Sequence, residues 1–502
     1  MRNIRKPKDD NFDDYIDYYR RALCLNDEDF NIFKEYISKP LPHAFRIINS
    51  SYKREVKAEI DKYIDKIVFK TNIIDDVYIF YKNKDLDDYK EFITFLIIVS
   101  ELGYVQRQEI VSMVPTLLLG IKKGDYVFEP CAAPGSKTKQ ILEILDGTGL
   151  LISNDIVKSR INVLVTEARK RNTMNFGVTS CNATKYTKTY KGLEMVFDKI
   201  CCDVPCSGDG TIRKNINVTS GWSYKKSSNL HKIQLDILRE ALIMLKKGGI
   251  VVYSTCSLNP VENEYVINQV VGNGCELIMN DDILDKHNIK YRRGITKFSC
   301  DDFVYENEEL SKCYRFYPHD NDAGGFFIAI IRKTDSSEIN NENINNNTFN
   351  NNKSRFREIS KVESDVYDEN HKYFTSSETV KHIYAINRQL YSFIADHTNM
   401  KFITAGMRAF SLTTHLEEDK KIYMVKSMYL SHLEVDQTVE LDYVLFKSLI
   451  MNLSVEINNC DCDKGYLIAR YNNHLFNGFY SGKKMMLFID KELRSFYKII
   501  LK

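Results

Sequence analysis

The chain reads as an α/β protein built on a doubly wound sheet, and three observations carry that reading. From Tyr104 onward, short apolar runs alternate with amphipathic helical stretches, the pattern of strand-helix-strand units. Two of the runs end in loops that pair a cysteine with proline and small residues. One passes from Phe197 into Val-Pro-Cys206-Ser-Gly-Asp-Gly; the other passes from Gly248 into Cys256-Ser-Leu-Asn-Pro260. A third run, residues 125–130, leads directly into the turn Cys131-Ala-Ala-Pro-Gly-Ser-Lys-Thr138. Open parallel sheets bind ligands beyond the carboxyl ends of their strands, so all three loops are expected to face one crevice.

Length and composition bound the rest. A chain of 502 residues favours two to four domains. Lys and Arg number 70 against 68 Asp and Glu, for a net charge of +2. Total charge therefore neither demands nor excludes a nucleic-acid partner, and any such surface must come from local clusters. The N-terminus lacks the apolar core of a signal peptide. The longest apolar stretches, around 92–99 and 114–120, fall far short of the roughly 20 residues of a spanning helix. A protein of the nucleus or cytoplasm, with no membrane partner, is expected. The 12 cysteines are scattered, with neither the density of a disulfide scaffold nor paired CxxC motifs. Cys460 and Cys462 form only a CxC, and no metal is expected.

Taken in order, residues 1–103 read as an N-terminal α/β accessory region. Helical spacing covers 12–21 and 30–37, strands are predicted at 44–48 and 77–81, and an amphipathic helix at 53–67 suggests a small βαβ unit. Arg46, Lys53, Arg54 and Lys57 are candidates for RNA phosphates or for a solvated helix face. Residues 104–334 hold the alternating pattern, with strands at 125–130, 150–153 and 175–179 before the two cysteine strands. A helix at 230–245 presents Ile233, Ile237, Leu238, Ala241, Leu242 and Leu245 on its apolar side, and an apolar strand at 324–332 closes the region. Residues 335–369, rich in Asn and Ser at their start, read as a linker. Residues 370–502 regain large apolar side chains and read as a separate, small C-terminal α/β domain.

The turn at 131–138 ends like a phosphate loop but is not one. Ser136 separates Gly135 from Lys137, and Pro130 stands where the first glycine would be. Its small residues instead allow a ligand to approach the backbone at a helix N-terminus. Asp155, at the end of the second strand, follows at about the 20-residue spacing from which a nucleotide-binding sheet offers a carboxylate to a ribose diol. Together they favour an adenosine-containing cofactor. Cys206 and Cys256 sit in loops beside proline and small polar residues, where a thiol is reactive. Cys201 and Cys202 lie within a strand and read as buried small hydrophobes. Trp222 fits core packing better than base stacking. Arg213, Lys214, Lys225, Lys226 and Lys232 form a candidate phosphate track.

Three long motifs in fixed order, Glu129 to Thr138, Asp198 to Asn215 and Tyr253 to Glu264, resemble the NOL1/NOP2/Sun family of RNA cytosine-5 methyltransferases. Leu41-Pro-His-Ala-Phe-Arg46, Arg107 to Pro115 and Pro318-His-Asp-Asn-Asp-Ala-Gly-Gly-Phe-Phe327 resemble its eukaryotic, Trm4-like tRNA branch. The resemblance spans roughly residues 12 to 333. It implies a Rossmann-like S-adenosylmethionine-dependent methyltransferase sheet, S-adenosyl-L-methionine as cofactor, and RNA, specifically tRNA, as the partner of a monomer. Carried over residue by residue, Cys131, Ala132, Ala133, Pro134, Gly135, Ser136 and Lys137 would hold the methionine end, Asp155 the ribose and Asn182 the adenine edge. Arg160 and Lys137 would serve as local anchors. Asn182 departs from the usual Asp, keeping an acceptor oxygen but losing the charge.

The resemblance also assigns the chemistry. Cytosine C5 is too electron-poor to accept a methyl group unaided, so a thiolate first adds to C6. The family's nucleophile corresponds to Cys256, and Cys206 assists release. Asp203 would contact cytosine N3, with a raised pKa if it is to donate a proton there. Two rivals remain open: an rRNA methyltransferase of the same family, and an RNA-binding assembly factor with weakened catalysis.

Overall fold

The structure, a computed structural model, describes residues 11–334 apart from positions 84, 87 and 221, together with 357–359, 372–375, 382–414, 421–426, 429, 438–457 and 462–501. Most of the expected linker and Cys460 lie outside the described residues, as does the side chain of Lys226.

The N-terminal region begins with helices α1 (Asn11–Ala22) and α2 (Asp27–Ile37). A four-stranded sheet follows, ordered β2-β3-β1-β4, from β1 (His43–Ile47), β2 (Val68–Lys70), β3 (Val77–Phe80) and β4 (Val105–Arg107). Helices α3 (Lys53–Asp61) and α4 (Tyr89–Glu101) complete it. Every pairing in this sheet is antiparallel, so the expected βαβ unit does not form. Strand β2 intervenes between α3 and β3, and the chain turns back through residues 71–76 as a hairpin, which sets β3 antiparallel to β1.

Helix α5 (Ile110–Leu118) leads into the large sheet. Strands β5 (Tyr126–Glu129), β6 (Leu150–Asn154), β7 (Phe176–Thr179), β8 (Phe197–Asp203) and β9 (Leu245–Thr255) pair in parallel in the order β9-β8-β5-β6-β7. The chain lays down β5, β6 and β7 in one direction and then returns to place β8 on the other side of β5. That reversal makes the switch point, between the ends of β5 and β8, where such sheets open a crevice. Strand Phe326–Lys333 adds antiparallel to β9.

Both faces of the sheet are covered, which is why its strands are apolar throughout rather than alternating with polar residues. Along β8 the period of two sends Ile200 and Cys202 into one core and Cys201 into the other. Helices α6 (Ser136–Leu145), α7 (Lys158–Arg169) and α5 cover one face. Helix His231–Met244 and α1 cover the other. Ile233, expected on the buried side of His231–Met244, is instead 46% exposed.

Two expected domain boundaries are crossed by packing. Helix α1 joins the core of the large sheet through Tyr15 and Tyr19 rather than the four-stranded sheet. The C-terminal region, expected to stand apart, divides in two. Strand Phe402–Ala405 pairs antiparallel with β7 and brings Leu390 and Phe393 onto the core, which removes an exposed strand edge. Residues 438–501 share a core with the four-stranded sheet, where Phe446, Phe476 and Phe496 meet Phe45, Phe92 and Leu96. The Tyr52 and Tyr497 hydroxyls lie 2.5 Å apart across that boundary. Cys462 is disulfide-bonded. Among the described residues no helix is long and apolar enough to cross a membrane.

Candidate active site

The ends of β8 and β9 bring the two loop cysteines together. Cys206 Sγ and Cys256 Sγ are 3.3 Å apart, half-buried, with either thiol able to donate to the other. The hydrogen bond to Cys256, followed by burial, pushes the Cys206 thiol well up. Asp203, the last residue of β8, stands beside them with both oxygens engaged. Oδ2 accepts from Lys137 Nζ at 2.7 Å and Oδ1 from the Ser254 hydroxyl at 2.7 Å.

Lys137 comes from the first turn of α6 and is buried. Its ammonium lies 3.3 Å from Ser112 Oγ and 5.5 Å from the centroid of Phe326. Burial alone would lower its pKa, but Asp203 and neighbouring thiols hold it above the ordinary lysine value. Lys137 therefore keeps its charge beside the thiol site.

The turn after β5 is fixed by backbone contacts. Gly135 adopts φ +104°, a conformation that side chains disfavour, and a Cβ there would meet Leu164 Cδ1 at 3.0 Å. The turn thereby brings α6 close to α7. No side chain caps the N-terminus of α6, so its first-turn N–H groups point toward the turn as donors for an anionic group. Asp155, at the end of β6, is 3% exposed. Its Oδ2 accepts from Ala133 N at 3.2 Å and its Oδ1 from Val157 N at 2.9 Å. Arg160 donates to Ala133 O and stands 3.7 Å from Asp155 Oδ2, so it anchors the turn. Burial pushes the Cys131 thiol up, which suits a packing residue. Beneath the turn, Glu129 accepts from Thr138 Oγ1 and Ser153 Oγ, each at 2.7 Å. Burial, partly offset by those hydroxyls, pushes Glu129 up to about 7.

Asn182, beyond β7, is exposed. Its Oδ1 already accepts from Thr184 N and Thr184 Oγ1, both at 3.0 Å. The oxygen that an adenine amino group would need thus serves as the cap of a short 3-10 helix.

The candidate phosphate track is only partly a surface. Lys214, Lys225 and Lys232 are exposed, but Arg213 is 2% exposed and inside the fold. It donates to the carbonyls of Lys39, Pro40 and Ala323 and to Asp322, joining the N-terminal region to the loop before Phe326. Arg46 is also buried, donating to Glu143 and Gln106. Lys53 and Lys57 pair with Asp76. Trp222 is buried against Tyr15, Tyr18 and Tyr19. Sequence reasoning missed the partners that complete the site: Ser112, Ser254, Phe326 and Glu129. All four lie inside the motifs quoted above, yet their neighbours come from other elements and left no local signal.

Residues 116–332 match the family model described as 16S rRNA methyltransferase RsmB/F. The tRNA (cytosine(49)-C(5))-methyltransferase of Pyrococcus abyssi is 30% identical over 307 residues, which cover 61% of this chain and 93% of that protein. The chain belongs to the RsmB/F, or NOL1/NOP2/Sun, family. The multisite-specific tRNA:(cytosine-C(5))-methyltransferase of Saccharomyces cerevisiae is 32% identical over 64% of this chain and 55% of its own length. The chain thus spans about half the length of that family member. A methyltransferase homolog from Pyrococcus horikoshii shares the fold, with a TM-score of 0.50 and 28% identity over 63% of this chain and 94% of that one.

Proposed function

We propose that the chain is an S-adenosylmethionine-dependent RNA cytosine-5 methyltransferase acting on tRNA. The observation that carries the reading is the 3.3 Å approach of Cys206 and Cys256 beside an Asp203 gripped by Lys137 and Ser254. One isolated thiol could be a packing residue; two in contact at adjacent strand ends suit a reaction that both makes and breaks a bond to sulfur. The tRNA choice is supported by the tRNA cytosine-C5 methyltransferase activities of the Saccharomyces and Pyrococcus abyssi relatives.

The residues present fit the cofactor. The uncapped N-terminus of α6 suits a carboxylate, the buried Asp155 retains acceptor capacity for a ribose hydroxyl, and Ala132, Ala133 and Gly135 leave room for close approach. When bound, S-adenosylmethionine supplies an electrophilic methyl group. Cys256 as a thiolate adds to cytosine C6, which makes C5 nucleophilic. The Lys137–Asp203 pair is placed to hold a proton at N3. After methylation the C5 proton passes to water, the electron pair of that C–H bond forms the C5–C6 double bond, and Cys256 leaves C6 as a thiolate, with Cys206 next to the breaking bond. The target base must leave its stack to reach the thiols.

Purified protein incubated with labelled S-adenosylmethionine and separate tRNA and rRNA pools tests the reading. Label should enter cytosine C5 of tRNA; label in rRNA alone would select the ribosomal alternative. A second reading, an RNA-binding factor with weakened catalysis, is favoured by the engaged oxygen of Asn182. It predicts RNA binding without label in either pool.

A further inference from the structure

Two carboxylates that this reaction scheme does not use lie buried side by side behind the cysteine loops. Asp209 is three residues past Cys206 and Glu262 six past Cys256, and both are fully buried. Between them sit the hydroxyls of Ser207 and Ser257, the residues that directly follow the two cysteines. Ser207 Oγ is 2.6 Å from Glu262 Oε1 and 3.0 Å from Asp209 Oδ2. Ser257 Oγ is 2.9 Å from Glu262 Oε1 and 3.3 Å from Asp209 Oδ2.

The backbone contacts are reciprocal. Asp209, on the Cys206 loop, accepts from Leu258 N on the Cys256 loop at 2.7 Å. Glu262, beyond the Cys256 loop, accepts from Ser207 N on the Cys206 loop at 2.9 Å. Gly210 N also donates to Cys256 O at 3.0 Å, and a Cβ on Gly210 would meet that oxygen at 2.8 Å. The two loops thus have little freedom to slide past each other.

We propose that Asp209 and Glu262 are positioning residues, a reciprocal clasp that holds the Cys206 and Cys256 thiols at contact distance. Two like charges facing across a pair of hydroxyls favour taking up a proton. Burial, followed by the charge of Glu262, pushes Asp209 up to about 6. Among the described residues, tyrosines, an amide, a thiol and a paired arginine surround the two carboxylates. Tyr19 donates to Asp209 from α1, Tyr15 reaches the Asp209 carbonyl and Tyr18 reaches Asn259. Tyr253 donates to the Glu262 carbonyl, Gln234 to its carboxylate, Cys206 lies within its field, and Arg315 is engaged by Glu264.

The test separates the clasp from the functional reading on which it rests. Diamide takes two electrons and two protons from a dithiol and leaves a disulfide, so its rate of closing Cys206 onto Cys256 reports thiol contact without any methyl transfer. Glu262→Gln keeps the shape of the side chain but removes the charge. Closure and single-turnover methyl transfer should each slow by on the order of 100-fold, the cost of a misplacement near 1 Å, with KM for RNA and cofactor unchanged. The acid limb of the rate profile, near pH 6 in the natural protein, should move to lower pH because Asp209 loses its like-charged neighbour. Natural closure rates in a folded Glu262→Gln protein, or an acid limb that does not move, overturn the clasp. Should that variant not fold, Ser257→Ala should slow closure by roughly 10-fold, the worth of one hydrogen bond, and a natural rate there overturns it equally. A natural protein that closes its disulfide but methylates no RNA counts against the functional reading alone.

Discussion

The two sides of the crevice are built by different means. The turn after β5 is shaped by backbone: a left-handed Gly135, peptide groups held by Asp155 and Arg160, and a helix N-terminus left uncapped. The cysteine side is shaped by side chains, with Asp203, Lys137 and Ser254 at the surface of the site and a hydroxyl-carboxylate cluster behind it. A backbone-built site tolerates changes of side-chain chemistry but not of volume or φ. A side-chain-built site should respond to the loss of a single atom. The cofactor side must fit the same ligand in every cycle, whereas the cysteine side must hold two thiols through successive protonation states.

The largest effect expected from this contrast falls on the cysteines. Cys256→Ala should abolish methyl transfer and form no covalent RNA adduct while still binding RNA. Cys206→Ala should complete methylation and then stall, leaving an adduct that survives denaturing electrophoresis and requires S-adenosylmethionine. Peptide mapping of the cross-link decides which thiol attacks, and a cross-link on Cys206 would reverse the two roles. On the opposite side, Asp155→Ala should weaken cofactor binding by about 1.5 to 3 kcal/mol, the range for hydrogen bonds to a charged group. Calorimetry on the folded variant measures it, and undiminished affinity would take the ribose away from the end of β6.

Gly135→Ala changes no chemistry, so it isolates the backbone argument. Strain at φ +104° and the approach to Leu164 should cost about 1 to 3 kcal/mol of stability. Cofactor affinity should fall with it, while diamide closure of the cysteine pair stays unchanged in protein kept below its melting temperature. A parallel loss of closure would show that the two sides are not independent.

The smallest effect concerns Glu129, beneath the turn. Its folded-state pKa of about 7 lies above the unfolded value of 4.5, so the folded chain binds that proton more tightly. This contribution to stability is fully present below about pH 4.5 and is lost as pH rises through 7. Glu129→Gln mimics the protonated form and should melt higher than the natural protein at pH 8, by about 1 kcal/mol after allowing for its single acceptor oxygen. The advantage should vanish at pH 4.5, and a constant difference across that window would remove the linkage.

The five parallel strands of the large sheet, the antiparallel strand after Gly325, and the placement of Cys131, Asp203, Cys206 and Cys256 at or just beyond strand ends were legible in the sequence. Those are local properties: apolar runs bounded by proline, glycine and small residues fix a strand and its exit within a few positions.

Only the tertiary structure decided which of those features meet. Arg213 and Arg46 look like surface charges in sequence, yet each is buried because backbone carbonyls or a carboxylate from distant elements satisfy its donors. Helix α1 covers the large sheet, and Phe402–Ala405 completes its edge, because an apolar stripe and an open strand edge specify that a partner is needed without specifying which one. The contact between Cys206 and Cys256, the grip of Lys137 on Asp203 and the facing of Asp209 and Glu262 arise for the same reason. Each joins residues dozens of positions apart, and only the parallel register of β5, β8 and β9 sets them side by side.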